Sequence, residues 1–174
     1  KFKTVLVKSD KDVFEIDQAG ASGSKASHAS SSKTSSKSSP IIIRGNSWVN
    51  IAVGVNWYFK HHTGIHIAWN NMMVKLPAVL PAVKQKERHE TDLKLRYDFN
   101  YCTFSYSMAF WDWNRWQKEI DWMALHGINM PLAIVGEECV WRNMLLKLGY
   151  TEEEVGQFIA GPAFLAWWEM NNLE

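Results

Sequence analysis

Apolar and polar positions alternate along the start of this chain and then fall at helical spacing. Residues 5–7 and 13–16 are short β-prone runs. Residues 40–44 (Pro-Ile-Ile-Ile-Arg) predict a further strand, stopped by Gly45 and Asn46. Ser47 suits the N-cap of a helix whose apolar stripe is Trp48, Ile51, Ala52, Val55, Tyr58 and Phe59. Gly64 closes that helix as the glycine beyond its C-cap. Residues 65–69 and 73–76 read as a hairpin turning at Asn70 and Asn71. Together these elements predict a small α/β domain over residues 1–83. Between its first strands, residues 19–39 are dominated by Ser, Ala, Lys and Gly. They hold too little apolar surface to offset their ordering entropy, and read as a flexible surface insertion.

Pro77, Pro81 and a charged run shift the composition, so residues 84–93 read as a linker. The rhythm then changes. Residues 94–102 predict a strand, 103–111 an aromatic connection, and Asp112 the N-cap of the next helix. Trp113, Trp116, Ile120 and Met123 share one face of that helix, and Gly127 stops it. Residues 128–135 are nearly all apolar, as expected of a parallel strand buried on both faces. A helix over about 139–148 ends at Gly149, and Thr151 with Glu152, Glu153 and Glu154 predicts a capping box for another. Gly161 and Pro162 break the chain before 163–170. The order β-loop-α-β-loop-α is that of a parallel α/β fold. Two such units cannot close a barrel of eight, so the natural protein is expected to continue past Glu174.

Composition adds one unusual figure, ten tryptophans among 174 residues, seven of them between Trp111 and Trp168. Such a density serves either a thick helix-on-sheet core or a floor on which sugar rings stack, and core accounts for most of the ten. The net charge of +1 provides no basic field for nucleic acid. No apolar run reaches the roughly 18 residues of a membrane span, and no signal peptide is visible at the start. Cys102 and Cys139 have neither a disulfide framework nor zinc-ligand spacing. No metal site or cofactor motif is predicted: the Gly-rich phosphate loop and the hydrolase signatures are missing. The adjacent His61 and His62 suit the C-terminus of a helix.

In parallel α/β folds ligands meet the loops after the strands, which selects residues 100–106 and 136–138. Asn100 offers an amide for a sugar hydroxyl or acetamido group, or equally for a turn. Cys102, two residues on and on the same strand face, is a soft wall or a buried thiol. Ser105 and Tyr106 are within reach of a hydroxyl, or are satisfied locally. Glu137 and Glu138 are adjacent carboxylates at a strand end, one suited to substrate hydroxyls and the other to the following helix. Neighbours on one turn point apart, so they do not make the pair that glycoside hydrolysis needs, about 5–5.5 Å apart for retention.

The string Tyr97-Asp98-Phe99-Asn100-Tyr101-Cys102-Thr103-Phe104-Ser105-Tyr106-Ser107 resembles the start of the catalytic barrel in the α-N-acetylglucosaminidase family, glycoside hydrolase family 89. Phe110-Trp111-Asp112-Trp113, Glu119-Ile120-Asp121-Trp122-Met123, Gly127-Ile128-Asn129 and Gly161-Pro162-Ala163-Phe164-Leu165-Ala166-Trp167 continue the likeness in order. Arg44-Gly45 and Ile67-Ala68-Trp69 resemble the small domain that precedes that barrel. The resemblance implies an α/β chain: a small α/β N-terminal domain followed, over residues 94–174, by the first βα units of an incomplete (β/α)8 barrel. It implies a retaining exo-glycosidase acting on glycans that end in α-linked N-acetylglucosamine, with two glutamates and neither metal nor cofactor. Asn100, Cys102 and Tyr106 would then line the sugar pocket. Glu138 keeps the last residue of a family Gly-Gln-Glu string and would be a further substrate-binding residue, whereas Glu137 departs from that string. No catalytic residue is assigned in this chain, because the family's glutamates are expected beyond residue 174, and the chain alone is expected to be inactive. A lysosomal address for an animal protein, or a secreted or periplasmic one for a bacterial protein, follows from the same likeness. The alternative is a non-catalytic carbohydrate-binding protein that kept the tryptophan-rich floor.

Overall fold

A four-stranded sheet organises the first part of the chain, in a computed structural model that describes residues 2–19 and 39–172. The Ser-rich insertion lies, apart from its two end residues, outside the described residues. Two compact units result: Lys1–Arg96 with Glu119–Asn129, and Tyr97–Lys118 with Met130–Glu174. Residues 119–129 therefore pack with the first unit, although they lie well past the expected domain boundary.

In the first unit β1 (Phe2–Leu6), β2 (Asp12–Gln18), β3 (Ile41–Gly45) and β4 (Glu87–Thr91) form a sheet in the order β1-β3-β2-β4. β1 pairs parallel with β3, and β2 pairs antiparallel with β3 and β4. Ile41 and Ile43 alternate with less buried neighbours and present one apolar face. Helix α1 (Trp48–Tyr58) covers that face with Ile51, Gly54 and Tyr58. Ser47 caps it, accepting from the Asn50 N–H at 3.1 Å. Gly54 permits the close approach: a Cβ there would sit 2.7 Å from Ile43 Cγ2 and 3.2 Å from the Phe14 ring. Phe14, Ile16, Ile41, Ile43, Ile51 and Tyr58 form the core, each apolar side chain contributing about 1.5–3 kcal/mol by leaving water. The buried Tyr58 hydroxyl donates to the Pro81 carbonyl at 2.6 Å. The helix finishes in a π-helical turn, Phe59–Thr63, and Gly64 ends it with φ of +70°.

Two expectations fail here. The hairpin at residues 65–76 reduces to one bridge, Ala68 to Asn71. Its alternation buries no face: Met73 is 93% exposed, and the Trp69 indole N–H donates to both oxygens of buried Glu119, at 3.0 and 2.8 Å. The expected linker contains β4, because its charges are cross-strand partners. Arg88 reaches Glu15 at 3.0 Å and Lys86 reaches it at 2.8 Å.

The second unit holds short elements. β5 (Tyr97–Asp98) pairs parallel with β6 (Met130–Pro131). Around them lie α2 (Tyr101–Tyr106), α3 (Trp113–Leu125), α4 (Glu137–Lys147), α5 (Glu152–Phe158) and α6 (Leu165–Glu169). Of α3, residues 113–118 fall in this unit and 119–125 in the first. Phe104, Ile134, Leu165 and Ala166 make the core, with Trp116, Trp167 and Trp168 packed against it. Asp112 accepts from the Arg115 N–H at 2.8 Å and so starts α3, and Thr151 forms the expected capping box with Glu154.

The expected strand over 94–102 is cut short, because the Asn100–Thr103 capping box turns the chain into helix. The strand expected over 128–135 survives only at Met130–Pro131 and is not buried on both faces: Ile134 is buried, whereas Pro131, Ala133 and Val135 are exposed. The predicted stripe of α3 is likewise broken. Met123 is buried, but Trp113 is 68% exposed and Ile120 45%.

Candidate functional site

Two helices of the second unit begin just past its paired strands. β5 leads into α2 and β6, through a short connection, into α4, and because β5 and β6 are parallel, the chain leaves both strands at the same end of the pair. The turn after β5 is tight. Phe99 takes a left-handed backbone conformation, φ +72°, uncommon for a bulky residue and a mark of local strain. Its ring packs edge-on against Trp116, with centroids 6.2 Å apart.

Asn100 follows as the N-cap of α2. Its side-chain oxygen accepts from the Thr103 N–H at 3.1 Å, and the Thr103 hydroxyl donates to the Asn100 carbonyl at 2.9 Å. The residue is exposed. Its carbonyl oxygen is thus committed to the helix, while its amide N–H groups are open to solvent. Cys102 is a half-buried free thiol in the first turn of α2. It does not share a strand face with Asn100, because the chain is helical there. Ser105 is buried and accepts from the Ala166 N–H at 3.0 Å, a packing role and not a ligand contact. Tyr106 ends α2, largely exposed, with its ring 5.9 Å from that of Trp167.

Gly136 opens α4 in a left-handed conformation, φ +92°, where a side chain would be strained. It places Glu137 and Glu138 in the first helical turn, where the N-terminal dipole favours negative charge. Neither caps the helix through its side chain. One oxygen of Glu138 and both oxygens of Glu169 are buried, and among the described residues they accept no hydrogen bond. Burial first, then the charges of Glu137 and Glu138, push the Glu169 carboxyl up to about 7. Tyr101 is raised by Glu137 first, then by burial and by Glu169. Three carboxylates and a phenol therefore gather where α2, α4 and α6 meet. Sequence reasoning found Glu137 and Glu138 but missed Tyr101 and Glu169. A signal for Glu169 existed: it is the one charge in the otherwise apolar run 163–170.

The cluster sets two carboxylates at the start of α4 beside one buried carboxyl able to carry a proton near neutrality. Among the described residues no group of His, Cys, Asp and Glu is arranged to hold a metal ion. No helix there is long and apolar enough to cross a membrane.

The fold is that of an α/β chain containing part of a TIM-barrel glycoside hydrolase. Residues 1–82 match the α-N-acetylglucosaminidase N-terminal domain, and residues 96–174 match the α-N-acetylglucosaminidase tim-barrel domain. Human α-N-acetylglucosaminidase is 47% identical over 131 residues, which is 75% of this chain and 18% of the human protein. A family 89 glycoside hydrolase from Clostridium perfringens, solved in complex with 2-acetamido-1,2-dideoxynojirmycin, is 34% identical with a TM-score of 0.80. The match covers 98% of this chain and 18% of that one. A form of the Clostridium perfringens family 89 protein with two glutamates changed to glutamine, in complex with its substrate GlcNAc-α-1,4-galactose, superposes with a TM-score of 0.81 at the same identity. The chain belongs to the α-N-acetylglucosaminidase family, glycoside hydrolase family 89. It spans 18% of the length of these relatives.

Proposed function

We propose that the protein carrying this chain is a retaining exo-glycosidase that removes α-linked N-acetylglucosamine from the ends of glycans or glycosaminoglycans, and that this chain supplies one wall of the sugar pocket. The observation that carries the reading is the parallel pairing of β5 and β6, whose following segments open α2 at Asn100 and α4 at Glu137 and Glu138. The Asn100 amide N–H groups donate to a sugar oxygen while its carbonyl oxygen stays on Thr103. Glu138 accepts from a ring hydroxyl through its carboxylate at the start of α4. Cys102 is a small wall behind the sugar, and Tyr106 offers a hydroxyl at the rim.

The chain alone does not cut the bond in this reading. Glu137 and Glu138 are neighbours on one turn, and the Glu169 oxygens beside them are buried, so these three described carboxylates do not flank a cleft. Hydrolysis of GlcNAc-α-1,4-galactose by the protein that carries this chain, followed by NMR, tests the proposal. The first-formed N-acetylglucosamine is expected as the α anomer. A β anomer rules out retention, and binding without release favours a carbohydrate-binding protein. Turnover by the 174 residues alone would contradict the division of labour.

A further inference from the structure

We propose that α6 is latched by a proton: it stays docked on α2 while Glu169 is neutral and is released when Glu169 ionises. The docking contacts are well defined. Leu165 and Ala166 are buried in the core of the second unit. The Ala166 N–H donates to the buried Ser105 hydroxyl of α2 at 3.0 Å. Trp168 packs edge-on against Trp141 at 5.6 Å and Phe158 at 5.4 Å. At the end of the same short helix, both Glu169 oxygens are closed off from solvent with no donor among the described residues.

The groups that face Glu169 give its charge no compensation. From α4 come Glu137 and Glu138, both acidic, with one buried Glu138 oxygen also unpartnered. From α2 comes Tyr101, a phenol whose own ionisation is opposed by Glu137 and Glu169. Of the two basic residues of α4, Arg142 is held by Glu152 of α5, and Lys147 lies in the last turn, at the opposite end of the helix from Glu137 and Glu138; Glu154 of α5 is folded onto Thr151. An ionised Glu169 would thus be buried beside two like charges and, among the described residues, no cation, a costly arrangement. A neutral carboxyl avoids the repulsion. Ionisation thus opposes the docked position of α6, which Leu165, Ala166, Trp167 and Trp168 hold against the core.

The sign follows from linkage. Glu169 has an ordinary carboxylate value near 4.5 when unfolded and about 7 when docked. The docked state binds the proton more tightly, so the stability of docking is full below the unfolded value and falls as pH rises through the docked one.

Hydrogen exchange of the whole chain, corrected for intrinsic rates, tests it at the Ala166 amide and over residues 164–171. Between about pH 5.5 and about pH 8 the opening constant of this segment is expected to rise roughly tenfold or more. Amides of β3 in the first unit serve as the reference and are expected to stay flat over that range. In Glu169→Gln the rise is expected to vanish, because the amide has the shape of the carboxyl and cannot ionise. Should that variant fail to fold, Glu137→Gln carries the test: removal of one repelling charge is expected to move the midpoint to lower pH. A flat profile in the unaltered chain overturns the latch. So does an unchanged rise in a folded Glu169→Gln, or an unshifted midpoint in Glu137→Gln.

Discussion

The two units handle buried charge in opposite ways. In the first, each buried carboxylate meets a partner. Burial would raise Glu15, but Lys86 and Arg88 outweigh it and hold the carboxyl below its ordinary range. The same balance of burial against Arg96, Asn46 and Asn50 lowers Asp12, and burial against His89 and His62 lowers Glu87. In the second unit Glu169 has burial and like charges acting together, and it moves the other way. The first unit pairs its buried carboxylates, whereas the second keeps three buried carboxylate oxygens, of Glu138 and Glu169, without partners among the described residues and at a cost in stability.

The apolar cores differ as well. Ile43 is fully buried under α1 and in line with Gly54. Ile43→Ala is therefore expected to have the largest effect, a loss of about 3 kcal/mol, because the stiff sheet cannot collapse into the gap. Chemical denaturation followed at the first unit measures it. A loss below about 1 kcal/mol would mean that the helix settles onto the sheet, and the contrast with the looser second unit would weaken.

How much of this was legible in the sequence follows the range of the forces. Ser47, Gly64, Asp112 and the Thr151 box act within a few residues, and each ends or starts a helix where the sequence indicated. Strand β4 was hidden because Arg88 and Glu90 read as solvent-loving until β2 is placed beside them. The proposed site wall was half visible. Asn100 and Glu138 stand beside helix-starting signals, but Asn100 opens a helix where a strand was expected, because Thr103 completes its capping box. Tyr101 and Glu169 come together only through packing of segments far apart in sequence, which no local pattern reports. Trp113 misled for a related reason: its spacing matches Trp116, yet only Trp116 meets the core.

The opposite pKa shifts make opposite pH responses, an effect expected to be smaller than that of Ile43→Ala. For Glu15, Asp12 and Glu87 the folded value lies below the unfolded one. Their stabilisation is present above the unfolded value and is lost as pH falls through the folded one. Acid is thus expected to loosen the first unit, whereas alkali loosens α6 of the second. Thermal melts at about pH 6 and about pH 3 check the first half. Glu15→Gln is expected to be less stable than the parent at the higher pH and to lose less on acidification. An equal loss in both would show that the Lys86 and Arg88 pairs are not the source.

The smallest effect separates the two roles assigned to Asn100. As N-cap of α2 it is expected to cost about 1 kcal/mol when replaced by alanine, and only a few tenths when replaced by serine, whose hydroxyl accepts from the Thr103 N–H in the same way. Serine has no amide to donate to a sugar. In the protein that carries this chain, Asn100→Ser is therefore expected to melt like the parent and to lose turnover of the α-linked substrate, while Asn100→Ala loses both. If serine restores turnover together with stability, Asn100 is a cap and nothing more. The wall of the second unit then begins at Glu138, and the contrast between a finished core and a reactive surface rests on the carboxylates alone.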